Sequence, residues 1–413
     1  MSSKICAIVD AYSSSNLYAP ALKTLGYECI AIQGQARPTD LIAGSFRAED
    51  FTEVLPFSGD VAKLVSQLKK RNVQWIIPGM EMGLELADTL GEQMESCFHN
   101  DPRTSHQRRN KFDMVEAVRA HGLRAAVQTK AQNLQDVLLW AREKNLWPLV
   151  VKPADSGGAD RVLLCHNEQE IVQAVQGSLG SLGRQGRVVQ EVVIQEFLRG
   201  TEYIVDTVSY QGHHRIANIW KYHRVAVNGA QFVYDTKELV SFEGQESLID
   251  YAKAALDAVG LKNGPAHSEI MLTQQGPMLV EINARMGGSA APLLNRECLG
   301  LGQLELMMDV MFHPERFLSS CDLPYKIKKH GLAVYFISSQ EGKVVNPMAV
   351  ERIKSLPSYF RLSLSNPPGT KLEKTVDMFT MPGMVELVHE DPEQVQKDYA
   401  EIRKLEESGE FYI

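Results

Sequence analysis

Residues 267–288, HSEIMLTQQGPMLVEINARMGG, constrain what this chain can fold into more than any other stretch. Two apolar-rich runs flank a Gln-Gly step, the composition of a tight turn, so they are expected to pair as antiparallel strands. Side chains alternate across a strand. Glu281 and Asn283 therefore share one face while Val280 and Ile282 share the other; on the partner run His267, Glu269 and Met271 fall together. A register that opposes the two polar faces gathers Glu269, Glu281 and Asn283 into one oxygen-rich cluster. Magnesium takes one or two carboxylates and completes its shell with substrate phosphates, so this set suits one or two such ions; a solvated sheet face is the other reading. Arg285 follows at once, placed to stabilise charge on a transferring phosphoryl group or a tetrahedral intermediate. Gly287 and Gly288 let the backbone come close to a ligand. His267 is either an acid–base group or a polar residue that orients a carboxylate.

The rest of the chain supplies a setting for that hairpin. Residues 1–105 alternate strand, loop and helix, with strands over 4–9, 27–32 and 73–77, which implies a parallel sheet with crossover helices. Loops at the carboxyl ends of such strands are where open α/β sheets bind ligands. Glu81, in the PGMEMG loop, either meets a substrate amino group there or satisfies backbone N–H groups at a helix start. No GxGxxG follows the first strand, so a dinucleotide site is not expected. Residues 106–310 read as an amphipathic helix FDMVEAVRAHGL stopped by Gly122, a second over 134–144, strand PLVVKP, a Gly loop, strand RVLLC, and a helix over 168–175. Strands VVQEVV, IQEFL, EYIVDTVSY and HHRIANIWKYH follow, then a helix closed by Gly260 before the hairpin. Residues 311–413 mix strand and helix, with turn signals at NPPG and MPG.

Two segments upstream of the hairpin suit a nucleotide. In PLVVKPADSGGADRV, Lys152 ends a buried strand and could neutralise phosphate, while backbone N–H groups of Ser156, Gly157 and Gly158 could close over phosphates; a plain hairpin turn is the competing reading. Walker A spacing is absent. Lys111, just before an amphipathic helix, is a second candidate cation; an exposed helix-start Lys is the competing reading. In VVIQEFLRGTEY, Glu196, Phe197 and Leu198 suit a hinge whose backbone bonds an adenine edge, and Glu202 could accept from ribose hydroxyls. Asp377, in KTVDMFTMPG, is either a seat for a cationic substrate side chain or a surface strand residue. Trp220, Lys221 and Tyr222 either line an acceptor site or pack within a strand. His213-His214 lacks a third ligand at metal spacing and reads as a solvated turn.

Bulk properties exclude other classes. The formal net charge of −8 and the lack of a Lys/Arg run argue against nucleic acid as a partner. Six scattered cysteines with no CxxC pair read as reduced, mostly buried thiols of a cytoplasmic protein. The N-terminus lacks a signal-peptide pattern, and no run of eighteen apolar residues could span a membrane.

The order Lys111, VVKP with SGG, QEFLRGTEY, HSEIML, then LVEINARMGG resembles the ATP-grasp superfamily over roughly residues 100 to 310, with the wording of HSE and EINARMGG similar to bacterial L-amino-acid ligases. The resemblance implies an α/β fold in which a Rossmann-like parallel domain (1–105) precedes the ATP-grasp domain (106–310), and a C-terminal mixed α+β subdomain (311–413) completes the substrate site. It implies ATP and Mg²⁺, with Mn²⁺ as the alternative ion, and a homodimer as the assembly such enzymes often form. Lys111 and Lys152 would hold ATP phosphates, Glu196 to Leu198 would line the adenine pocket, and Glu202 would meet the ribose. Glu269, Glu281 and Asn283 would hold magnesium, and Arg285 would steady an acyl phosphate. The expected activity is carboxylate–amine ligation, forming a dipeptide and releasing ADP and phosphate. A carboxylase or nucleotide-pathway ligase, or an ATP-binding regulatory protein without turnover, are the alternatives.

Overall fold

The computed structural model describes residues 4–34, 40–96, 98–155, 161–183, 188–288, 291–365 and 369–413. The first sheet holds β1 (Lys4–Val9), β2 (Tyr27–Gln33), β3 (Glu53–Pro56) and β4 (Val73–Pro78), all parallel, in the order β3-β2-β1-β4. Cys6 to Val9 are wholly buried, as a strand covered on both faces must be. Helix Val61–Lys70, started by the Asp60 carboxylate accepting from the Lys63 N–H at 2.9 Å, packs Leu64, Val65 and Leu68 into the same core. That helix and β3 add to the elements expected from the sequence.

The second sheet is antiparallel and small: β5 (Gln128–Ala131), β6 (Leu149–Pro153), β7 (Leu163–Cys165) and β8 (Val192–Glu196), ordered β5-β8-β6-β7. Helices Leu134–Lys144 and Glu168–Ser178, each started by an Asn side chain (Asn133, Asn167), cover it. The runs expected as two strands, 188–193 and 194–198, form one strand; Val188 instead bridges Leu182 outside it.

The third sheet has eight antiparallel strands: β9 (Gly200–Tyr210), β10 (His213–Val227), β11 (Ala230–Leu239), β12 (Gly264–Thr273), β13 (Gly276–Asn283), β14 (His330–Tyr335), β15 (Tyr359–Leu364) and β16 (Gly383–His389). Their order is β13-β12-β9-β10-β11-β14-β16-β15. Asn228 and Gly229, at φ 53° and 83°, turn β10 into β11, the positive-φ pair a two-residue hairpin demands. Helix Glu246–Ala258 seals this sheet with Leu248, Tyr251, Ala252, Ala255 and Leu256. The C-terminal residues join the same sheet, because Thr236, Lys237 and Glu238 of β11 pair with Val334, Ala333 and Leu332 of β14. The MPG turn leads into β16, whereas residues 366–368 of NPPG lie outside the described residues. Among the described residues, no helix is long and apolar enough to cross a membrane.

Candidate active site

The hairpin β12–β13 forms with Glu269 opposite Glu281 and His267 opposite Asn283. All four side chains line a cavity of about 570 Å³ between the small sheet and the eight-stranded one. Lys111, Lys152, Glu196, Phe197, Leu198, Glu202, Arg285 and Gly288 line the same space. Residues as far apart in sequence as Lys111 and Gly288 thus meet in one cleft.

Its electrostatics follow from burial. Lys111 enters at the first turn of helix Lys111–Ala120, whose start is capped by Asn110, and its Nζ lies 2.9 Å from Glu281 Oε1. Lys152 donates to Gln195 Oε1 at 3.1 Å; burial and the neighbouring Lys111 push its ammonium down to about 8, against the pull of Glu281 and Glu269. Burial, together with Glu202, pushes the Glu269 carboxyl above the usual carboxylate range. Two crowded carboxylates and an amide oxygen are hard donors that favour a cation between them. Among the described residues there is no group of three or more His, Cys, Asp or Glu side chains that could hold a metal. Two carboxylates and an amide are the incomplete oxygen set of an ion whose remaining ligands are phosphate and water, which is the habit of magnesium.

At the far end, Arg285 Nε donates to Glu81 Oε2 at 2.7 Å, across the seam with the parallel sheet. Burial alone would raise the Glu81 carboxyl, but Arg285 and Lys111 hold it below the usual range. Glu81 opens the short helix Glu81–Gly83, as one reading expected, but it is buried there as the ion-pair partner of Arg285 and is not exposed. Arg109 secures this corner by donating to both Asp155 oxygens, at 3.0 and 3.2 Å, and to the Met82 carbonyl. His267 Nδ1 lies 2.7 Å from Asp206 Oδ1, and its Nε2 is 3.8 Å from Glu269 Oε1. Gly287 sits behind the lining, against the His267–Asp206 pair.

Several expectations meet complications. Glu196 Oε1 accepts the Val127 N–H at 2.7 Å, so that oxygen is already engaged. Glu202 Oε1 is held by Arg224 at 2.6 Å. Asp377 does not line the cavity: its Oδ1 accepts from the N–H groups of Phe379 and Thr380, at 2.9 Å each, closing its own turn. It lies in that turn and not in a strand, and the neighbouring Met378 faces the space instead. Trp220 is core, fully buried with its Nε1–H donated to Asn295, whereas Lys221 and Tyr222 line the cavity. His214 is no solvated turn residue either: it is buried, with Nδ1 2.7 Å from Ser209 Oγ and Nε2 3.2 Å from Asp257. Ser156, Gly157 and Gly158 lie outside the described residues.

Sequence reading missed two charged residues of the wall, Arg224 and Lys237, and one buried behind it, Asp206. Arg224 is stacked on Tyr234, with Cζ 4.5 Å from the ring centroid. Lys237, on β11, is buried with Nζ 4.9 Å above the Trp220 ring, and burial lowers its pKa. Asp206, on β9, orients His267. The Asn-Gly turn at 228–229 was the signal for β11; period-2 counting forward from it puts Phe232, Tyr234 and Thr236 on one face, but no local signal marks Lys237.

Residues 146–292 match the model of the ATP-grasp domain. The chain is 31% identical to dapdiamide A synthase of Enterobacter agglomerans over 99% of its own length and 97% of the relative's. It is 26% identical to the L-arginine-specific L-amino acid ligase of Bacillus subtilis over 43% of each chain. The solved L-amino acid ligase from Bacillus licheniformis superposes with a TM-score of 0.74, covering 98% of both chains at 19% identity, a likeness of fold.

Proposed function

Because the chain belongs to the ATP-grasp ligases and is an ATP-dependent amide-forming enzyme, we propose that its cavity joins the carboxylate of one amino acid to the amine of another, releasing ADP and phosphate. The observation that carries this reading is the convergence of Lys111, Lys152, Glu269, Glu281, Asn283 and Arg285 in a single cleft, with Glu81 placed behind the Arg.

Carboxylate and triphosphate are both anions, so cations must screen them before they meet. Lys111, Lys152 and Lys237 supply three ammonium groups along the cavity, and Arg285 a guanidinium at its end. The substrate carboxylate oxygen forms a bond to the γ-phosphorus as the bond to the β–γ bridging oxygen breaks, giving an acyl phosphate and ADP. The acceptor amine then attacks the acyl carbon; the C–O bond to phosphate breaks, and the amine's proton leaves with the solvent. Arg285 is assigned to the anionic oxygens of both steps. Glu269, Glu281 and Asn283 would hold magnesium, whose charge would lower the repulsion between the phosphates and the incoming carboxylate. Glu81 keeps Arg285 in place from the parallel-sheet side. Phe197 and Phe232, with ring centroids 5.8 Å apart and planes tilted by 47°, line the same wall and offer aromatic rings against which an adenine can pack.

The test is ADP release with amino acids supplied singly and in all pairs, in a magnesium titration, with products read by mass. Release that needs two amino acids and yields their condensed mass supports the reading. ATP binding without turnover under every pairing would point to a regulatory protein.

A further inference from the structure

A single buried amide ties the loop bearing Arg285 to the strands bearing His267 and Asp206. Gln303, 1% exposed at the start of helix Gln303–Phe312, accepts the Gly287 N–H through Oε1 at 2.8 Å. Its Nε2 donates to the carbonyls of Ala266 at 2.8 Å and Thr207 at 3.1 Å. Ala266 and Thr207 are partners in the β12–β9 register, one step from the His267–Asp206 pair. A Cβ on Gly287 would lie 3.2 Å from His267 Nδ1 and 3.3 Å from Asp206 Oδ2, so the loop rests directly on that pair. Gln303 itself does not line the cavity.

We propose that Gln303 is a positioning residue for amide formation: it fixes the backbone that carries Arg285 against β9 and β12, and so sets Arg285 relative to the carboxylates of the hairpin. The proposal rests on the ligase reading above. Without this amide, the buried Gly287 N–H would lose its side-chain acceptor and the Ala266 and Thr207 carbonyls their shared side-chain donor, and the loop would shift in response. A shift of about 1 Å at a reacting centre costs about a hundredfold in rate. Lys152 on β6 and Phe197 just past β8 belong to the small sheet, which makes no bond to Gln303, so nucleotide binding should not follow the loop.

Two variants separate positioning from scaffold. Gln303→Met keeps the length and loses every hydrogen bond; Gln303→Glu keeps the acceptor for Gly287 but sets a carboxylate against two carbonyls. For each, the ATP dissociation constant, the Tm and the ADP released per amide formed are measured, using a pair of amino acids that is productive with wild type. The expected result is an ATP dissociation constant within about threefold of wild type, amide formation lower by about tenfold or more, and ADP per amide rising from one to about two or more. The excess arises as water takes the place of the amine at the acyl carbon, returning the carboxylate and inorganic phosphate. Gly287→Ala presses on the same loop from the other side and should uncouple in the same way, even where the Gln303 variants fail to fold. ADP and amide falling together at a ratio of one, or ATP affinity lost in step with turnover, would overturn the proposal. A wild type that makes no amide from any pair would sink the ligase reading, and the proposal with it.

Discussion

Arg285 stands just past the end of β13, where its guanidinium is free of the sheet's own bonding and reaches both Glu81 and the cavity. Removing it should leave the nucleotide end intact. Arg285→Ala is expected to keep ATP affinity within about threefold while amide formation falls by about 10²–10³, the usual cost of losing one charge-stabilising donor. Parallel titrations of binding and turnover check this, and equal losses would assign the residue to the scaffold. Lys152 carries the pH dependence. With its pKa pushed down to about 8, the charged form that grips phosphate dominates below that value and fades above it. The ATP dissociation constant should thus be flat from about pH 6.5 to 7.5 and rise toward about tenfold per unit beyond pH 8. A flat profile up to pH 9.5 would show that Lys152 keeps its proton or makes no contact with the nucleotide.

Between elements, the joint that holds the parallel sheet to the eight-stranded one is itself ionic. Arg108, wholly buried, pairs with Asp88 of helix Leu84–Gln93 at 2.8 Å. Its other nitrogen donates to the carbonyls of Val259 and Gly260 at the end of helix Glu246–Ala258, at 2.9 and 3.1 Å. A buried pair adds little over an apolar substitute, but breaking one half strands a charge. Burial already pushes the Asp88 carboxyl up, and Arg108 is what opposes it. Arg108→Met should destabilise the chain by about 3–5 kcal/mol, measured by urea unfolding. Arg108→Met with Asp88→Leu should recover most of that loss, and no recovery would mean that the helix-end carbonyls dominate.

At the scale of the whole molecule, the eight-stranded sheet is the piece that cannot be divided. β14, β16 and β15 extend it past β11, and Tyr335 and Met378 from this last part help to line the cavity. A chain ending at residue 310 would expose the β11 edge, with its unpaired backbone groups, and lose the core built from Leu332, Val334, Phe336, Val385 and Leu387. Such a truncation should aggregate or lack cooperative unfolding by circular dichroism. A soluble, ATP-binding fragment would show that the last hundred residues are separable.

The hairpin, its register-dependent carboxylate cluster, the alternating first hundred residues and, to within a residue, the helix starts near Phe112 and at Leu134 were legible in the sequence, because each depends on local periodicity and turn or cap chemistry. Helix Leu134–Lys144 and strand Lys4–Val9 have the limits their patterns give. Only the tertiary structure decided which residues from distant strands face one another. Nothing near Glu202 foretells that Arg224, 22 positions on, will take one of its oxygens. Nor does Glu81 announce an arginine 204 positions away, or Gly287 the amide of Gln303. Those partners are chosen by how sheets stack and which charges burial forces together, a cost set by the assembled interior and not by any local run of residues.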